Sequence, residues 1–164
     1  MFLLWALPTL CLTLVTNDLR LLRSGSSFGW RCALTGRWLH SIARPGETLA
    51  VFSAGATPYY SKLYTIDMLG LTDLHIAHLP GRLGHAIAGH EKYDSDYIIA
   101  RKPTYIVFGP RAVGTPLSET ELLQKIRLPF ASDLARNPGL RQHYDFRVDA
   151  YEGRYFPYYR LKTP

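Results

Sequence analysis

Long uniform runs are scarce in this chain of 164 residues. Its basic residues, among them Arg20, Arg23, Arg31, Arg37, Arg44, Arg82, Arg101, Lys102 and Arg111, are scattered along the sequence. The net charge of +6 therefore comes without the basic block or recognition-helix signature that nucleic-acid binding asks for, and it points to a solvated basic surface suited to anionic lipid heads. Cysteine is nearly absent. Cys11 and Cys32 lie in separate N-terminal segments, which excludes a disulfide framework and a CxxC pair. A three-glycine dinucleotide fingerprint, a GxSxG elbow and an HExxH signature are all missing.

No apolar stretch reaches the roughly 20 residues of a bilayer-crossing helix. The nearest approach is MFLLWALPTLCLTLVT, residues 1–16. It has no basic n-region and no small-x-small cleavage site, so it is not an ordinary secretory signal. Leu10 before Cys11 fits a lipoprotein cleavage site poorly. The composition is that of a truncated transmembrane helix whose beginning is missing, with a buried N-terminal helix of a soluble domain as the alternative.

What is present is the composition of a folded domain: 47% apolar residues, 20% charged, and 13% aromatic with 11 tyrosines. The length allows one core of ordinary size. Residues 1–24 are expected to be the membrane-helix remnant with its juxtamembrane segment, and residues 28–164 a soluble α/β domain.

Within that domain the periodicity sets the elements. Leu34, Trp38, Leu39 and Ile42 mark one face of a helix over residues 30–44. A Pro-Gly turn then leads to a strand near residues 48–53, and Thr57-Pro58 reads as an N-cap with proline at the first helical position. YTID (64–67) and PTYIVFG (103–109) read as strands, DLHIAHL (73–79) and SDYIIARK (95–102) as helical. Ser118 and Glu121 form the capping box of a further helix. HYDFRVDAY and GRYFPYYRLK, meeting at EGR, read as an antiparallel hairpin. The expected fold is thus a mainly parallel, three-layer, Rossmann-like sheet with a C-terminal antiparallel hairpin, preceded by the short apolar helix.

Chemistry concentrates between residues 64 and 108. His75, His78, His85 and His90 fall there among Asp67, Asp73, Glu91, Asp94 and Asp96. None of their spacings is that of a zinc site, so no metal is expected, and the histidines read as loop residues paired with carboxylates. Gly55 and Asp67 border a strand-to-helix turn, where a free-standing Rossmann-like enzyme would hold a nucleotide or methyl donor. With only Gly55 of the three glycines in place, the alternative is a tight turn with Asp67 bracing its own loop, and no cofactor is expected. A lipid-surface binding module without carbohydrate function is a further alternative.

Two blocks carry a resemblance: SAGATPYYSKLYTIDMLGLTDLHIAH (53–78) and GHEKYDSDYIIARKPTYIVF (89–108). Together they resemble the soluble C-terminal region of bacterial multi-spanning membrane glycosyltransferases of the lipid-linked-sugar type, related to arabinofuranosyl- and mannosyltransferases. The resemblance covers about residues 30–110. It implies an accessory extracytoplasmic domain at the bacterial inner (cytoplasmic) membrane. Sugar would pass from a polyprenyl-phosphate donor to a cell-envelope glycan, and this piece would be inactive without the upstream transmembrane module that carries the catalytic acid. The implied partners are membrane lipid, that module and a glycan acceptor, with no nucleic acid. Arg20 and Arg23, by the positive-inside tendency, would instead draw the following chain to the cytoplasm. Strand-end loops in open α/β sheets hold ligands, so Asp67, Asp73, His75, His90 and Glu91 are expected to form a polar rim for glycan, with Tyr59 and Tyr60 as stacking faces; the alternative is that Asp67 and Glu91 only brace these two loops. Catalytic residues are not identifiable.

Overall fold

The computed structural model describes residues 27–81, 84, 88–109, 112–126 and 128–163. The expected membrane-helix remnant at residues 1–24 and His85 lie outside the described residues. Among the described residues no helix is long and apolar enough to cross a membrane.

Five strands form one sheet: β1 (Thr48–Val51), β2 (Tyr64–Asp67), β3 (Tyr105–Val107), β4 (Tyr144–Tyr151) and β5 (Arg154–Leu161), in the order β2-β1-β3-β5-β4. The expectation of a mainly parallel Rossmann-like sheet is corrected by this pairing. Only β1–β2 and β1–β3 are parallel, on strands of four and three residues, whereas β3–β5 and the eight-residue β4–β5 pair are antiparallel. The reason lies in the connections. A parallel neighbour needs a long crossover, while β4 and β5 need only a two-residue turn, and Glu152 (φ 46°) and Gly153 (φ 68°) supply its left-handed pair. The mixed sheet is the consequence of that hairpin docking β5 beside β3.

Helices cover both faces. Residues 27–42 form α1, which buries Leu34, Trp38 and Leu39 on Leu49, Val51, Tyr105, Phe156 and Tyr158. Trp38 stacks on Phe156 with ring centres 4.8 Å apart. Beside α1 lies α2 (Ala56–Ser61), so close at Gly36 that an added Cβ would stand 2.6 Å from the Thr57 carbonyl. Thr57 does not cap α2 as its sequence suggests: Gly55 holds the N-cap position, and the Thr57 hydroxyl, fully buried, donates to the Cys32 carbonyl at 3.1 Å. Tertiary packing against α1 has taken the side chain away from the helix end.

The opposite face carries α3 (Leu74–Ala77), α4 (Ser95–Ala100), α5 (Glu119–Lys125), α6 (Pro129–Arg136) and α7 (Pro138–His143). Ile76, Ile98, Leu122, Phe130, Leu134 and Leu140 from these helices close a second core over Ala50, Ile66, Ile106 and Tyr159. The capping box of α5 is present, with the Ser118 side chain and the Glu121 carboxylate each bonded to the other's backbone N–H. Helices α6 and α7 are additions to the sequence reading. Proline opens each of them, and the Asn137 side chain accepts from Gly139 at the start of α7.

Candidate functional site

The chain leaves the ends of β1 and β2 toward opposite faces. From β1 it enters α2, which packs with α1, whereas from β2 it enters α3 and α4, which belong to the other core. A crevice opens outside the carboxyl ends of strands where connections part in this way. Two hollows occupy this end.

The first hollow, about 480 Å³, is apolar and is walled by Phe28, Cys32, Phe52, Leu69, Leu71 and His90. Phe28 and Leu71 stand at its open side, 45% and 83% exposed. Burial pushes the Cys32 thiol up against the opposing hydrogen bonds of Ser53 and Thr57, which disfavours the thiolate form. The second hollow, about 440 Å³, is polar and is walled by Glu91, Lys92, Tyr93, Asp94, Asp96 and Asp133. Residues 88–94 divide the two, with Gly89 and His90 facing the first and Glu91 to Asp94 facing the second. Apolar and hydroxyl-accepting walls thus meet along one short segment.

The loops around these hollows are bolted together. Asp67 is fully buried, and its carboxylate accepts the Leu69 and Thr72 amides at 3.0 and 2.7 Å and the Thr72 hydroxyl at 3.3 Å. Gly70 (φ 78°) makes the turn possible, since a Cβ there would stand 2.7 Å from the Ala77 nitrogen. Asp73 caps α3 through the Ile76 amide and accepts the Tyr97 hydroxyl at 3.0 Å. His75 lies flat on the Tyr97 ring, 4.1 Å between centres, with its Nε2 2.8 Å from Asp94. Asp94 in turn caps α4 through the Tyr97 amide. Burial works against the Asp94 charge, but the bonds from His75 and Tyr97 win and hold its carboxyl below the usual range. Burial and the bond to Asp73 raise the Tyr97 phenol.

Set against the expected rim, the structure brings Asp73 and His75 together through Tyr97, and places His90 and Glu91 on the dividing segment, where the Glu91 carboxylate accepts the Gly89 amide at 2.8 Å. Asp67 has no solvent face to offer a glycan or a ribose. Tyr59 and Tyr60, both on α2, pair with each other and lie under Lys62 at its end and Arg37 from α1, a separate group of contacts. Sequence reasoning missed Tyr97 and Asp133 as site residues; Asp94-x-x-Tyr97 carries an N-cap signal, while nothing local announces Asp133. Among the described residues no group of three His, Cys, Asp or Glu side chains is placed to hold a metal ion.

A family model described as a domain of unknown function (DUF8728) matches residues 25–158. No curated protein matches the chain, and no solved structure matches it.

Proposed function

The chain belongs to the DUF8728 family, and from its two-sided strand-end crevice we propose that it is the accessory extracytoplasmic domain of a membrane glycosyltransferase, seating a lipid-linked sugar or its glycan acceptor. The observation that carries this reading is the junction of an apolar hollow with a carboxylate-lined one across residues 88–94. Ligand sites are concave, with few polar groups placed for orientation, and both hollows fall in the usual size range of roughly 300–1,000 Å³. A hydrocarbon chain leaves water for Phe28, Phe52 and Leu71; sugar hydroxyls donate to Glu91, Asp94 and Asp133. The stacked His75–Tyr97 pair is tied through His75 to Asp94, which lines the polar hollow, and the half-exposed His75 ring is of the kind sugar faces rest on. This reading gives the domain the work of binding and orienting, with transfer assigned to the membrane-embedded part of the enzyme and the polyprenyl-phosphate sugar as donor.

Titration of the full chain in detergent micelles with a short-chain polyprenyl-phosphate sugar tests it. Binding is expected to weaken by roughly tenfold for Leu71→Glu, which puts a charge at the apolar mouth, and for Glu91→Ala, each removing about 1.4 kcal/mol. Melting temperatures should stay near that of the wild type for Leu71→Glu, because the side chain is 83% exposed. Equal affinity in wild type and both variants would overturn the proposal.

A further inference from the structure

We infer that the outer face of α1 and α2 is a docking surface for an anionic lipid bilayer. This inference stands apart from the strand-end reading and rests on a different set of side chains. Cations and aromatic rings alternate across it. The Arg154 guanidinium lies 6.0 Å from the Trp30 ring centre, Arg37 lies 5.1 Å from that of Tyr60, and Lys62 lies 4.2 Å from that of Tyr59. Tyr59 and Tyr60 meet edge to face at 5.1 Å, which joins the last two pairs into one row. Trp30 and Arg37 are seven residues apart on α1, two turns along the same helical stripe. Gly36 lets the two helices approach until their outward side chains form a single surface.

These residues are outside by a wide margin. Trp30 is 50% exposed and Tyr59 66%, values that leave large apolar rings in water unless something covers them. Charge selects the cover. Arg37, Lys62 and Arg154 are all exposed, while at the hairpin end Tyr151 is bonded to Glu152 and lies within reach of the Arg37 charge. Lys and Arg gain from the negative potential of anionic lipid heads, while Trp and Tyr favour the headgroup level, where an apolar ring and a polar tip are both satisfied. The perpendicular Tyr59–Tyr60 packing offers no flat ladder for nucleobases to stack on. In sequence, ten residues separate the apolar stretch of residues 1–16 from α1, so bilayer contact through this helix would continue a tendency already written upstream.

The experiment measures partition of the full chain into vesicles of phosphatidylcholine alone and of phosphatidylcholine carrying phosphatidylglycerol, at one ionic strength. Wild type should prefer the anionic vesicles. The triple variant Arg37→Gln/Lys62→Gln/Arg154→Gln should lose that preference by about 100-fold, and Arg37→Glu/Lys62→Glu/Arg154→Glu by a larger step, since each basic residue near the surface adds close to a factor of about five. Partition into phosphatidylcholine alone should change little in either variant, because residues 1–16 are untouched. An anionic preference that survives both substitutions overturns the inference. So does a result in which the variants keep it but lose binding to RNA or to an acidic polysaccharide, which would make the row a site for soluble polyanions.

Discussion

Asp67 shows how a side chain can be placed like a ligand-binding acid and do other work. It ends β2 at the carboxyl edge of the sheet, yet its carboxylate is consumed by two amides and a hydroxyl of its own loop. Removing it takes the acceptor from the part-buried Leu69 and Thr72 donors and leaves a gap in the core, at a cost of about 1–3 kcal/mol. Asp67→Ala should therefore lower stability by that amount in urea unfolding, and ligand binding should fall only in proportion to the folded fraction. A stable Asp67→Ala protein that no longer binds would return Asp67 to the ligand. His75, Glu91 and His90 differ in kind, because each keeps an open or half-open face after its protein contacts are counted.

At the scale of elements, α3 and α4 are held as a pair by one small network: Asp73 to Tyr97, Tyr97 under His75, His75 to Asp94, and Asp94 back to the start of α4. Its acid sensitivity follows from Asp94. The carboxyl titrates lower in the folded protein than in the unfolded chain, where aspartate lies near about 3.9. The stabilisation is thus fully present at neutral pH and is lost as pH falls through the lowered value. Thermal unfolding followed from neutral pH into acid should show a shallower acid loss for Asp94→Asn than for wild type; parallel curves would show that the network contributes nothing there. Much at this scale was legible in sequence. YTID is β2 residue for residue, and Ser118 with Glu121 marks the start of α5, since both signals are local. The direction of β5 was not, because parallel or antiparallel pairing with β3 is decided by where a hairpin docks some fifty residues later in the chain. Helices α6 and α7 are only eight and six residues long, which leaves about two turns or fewer of helical period to read. For the site, the histidine and carboxylate loops were visible as a group, but the dividing line between an apolar and a polar hollow needs Phe28 and Asp133, brought from distant parts of the sequence.

The described residues form a five-stranded mixed sheet with two cores. The strand-end crevice offers an amphiphile two adjoining environments, and the α1–α2 face offers a charged interface its cations and rings. Under the proposed function, both would serve a domain working against a membrane on a ligand with one greasy and one hydroxylated end. The most direct measurement is isotope-filtered nuclear Overhauser contact between the full chain and a short-chain polyprenyl-phosphate sugar. Contacts from the hydrocarbon to Phe28, Phe52 and Leu71, together with contacts from the sugar ring to His75 and Tyr97, are the expected result. Contacts confined to Tyr59, Tyr60 and Trp30, or a sugar and chain that both miss the crevice, would contradict the proposed site.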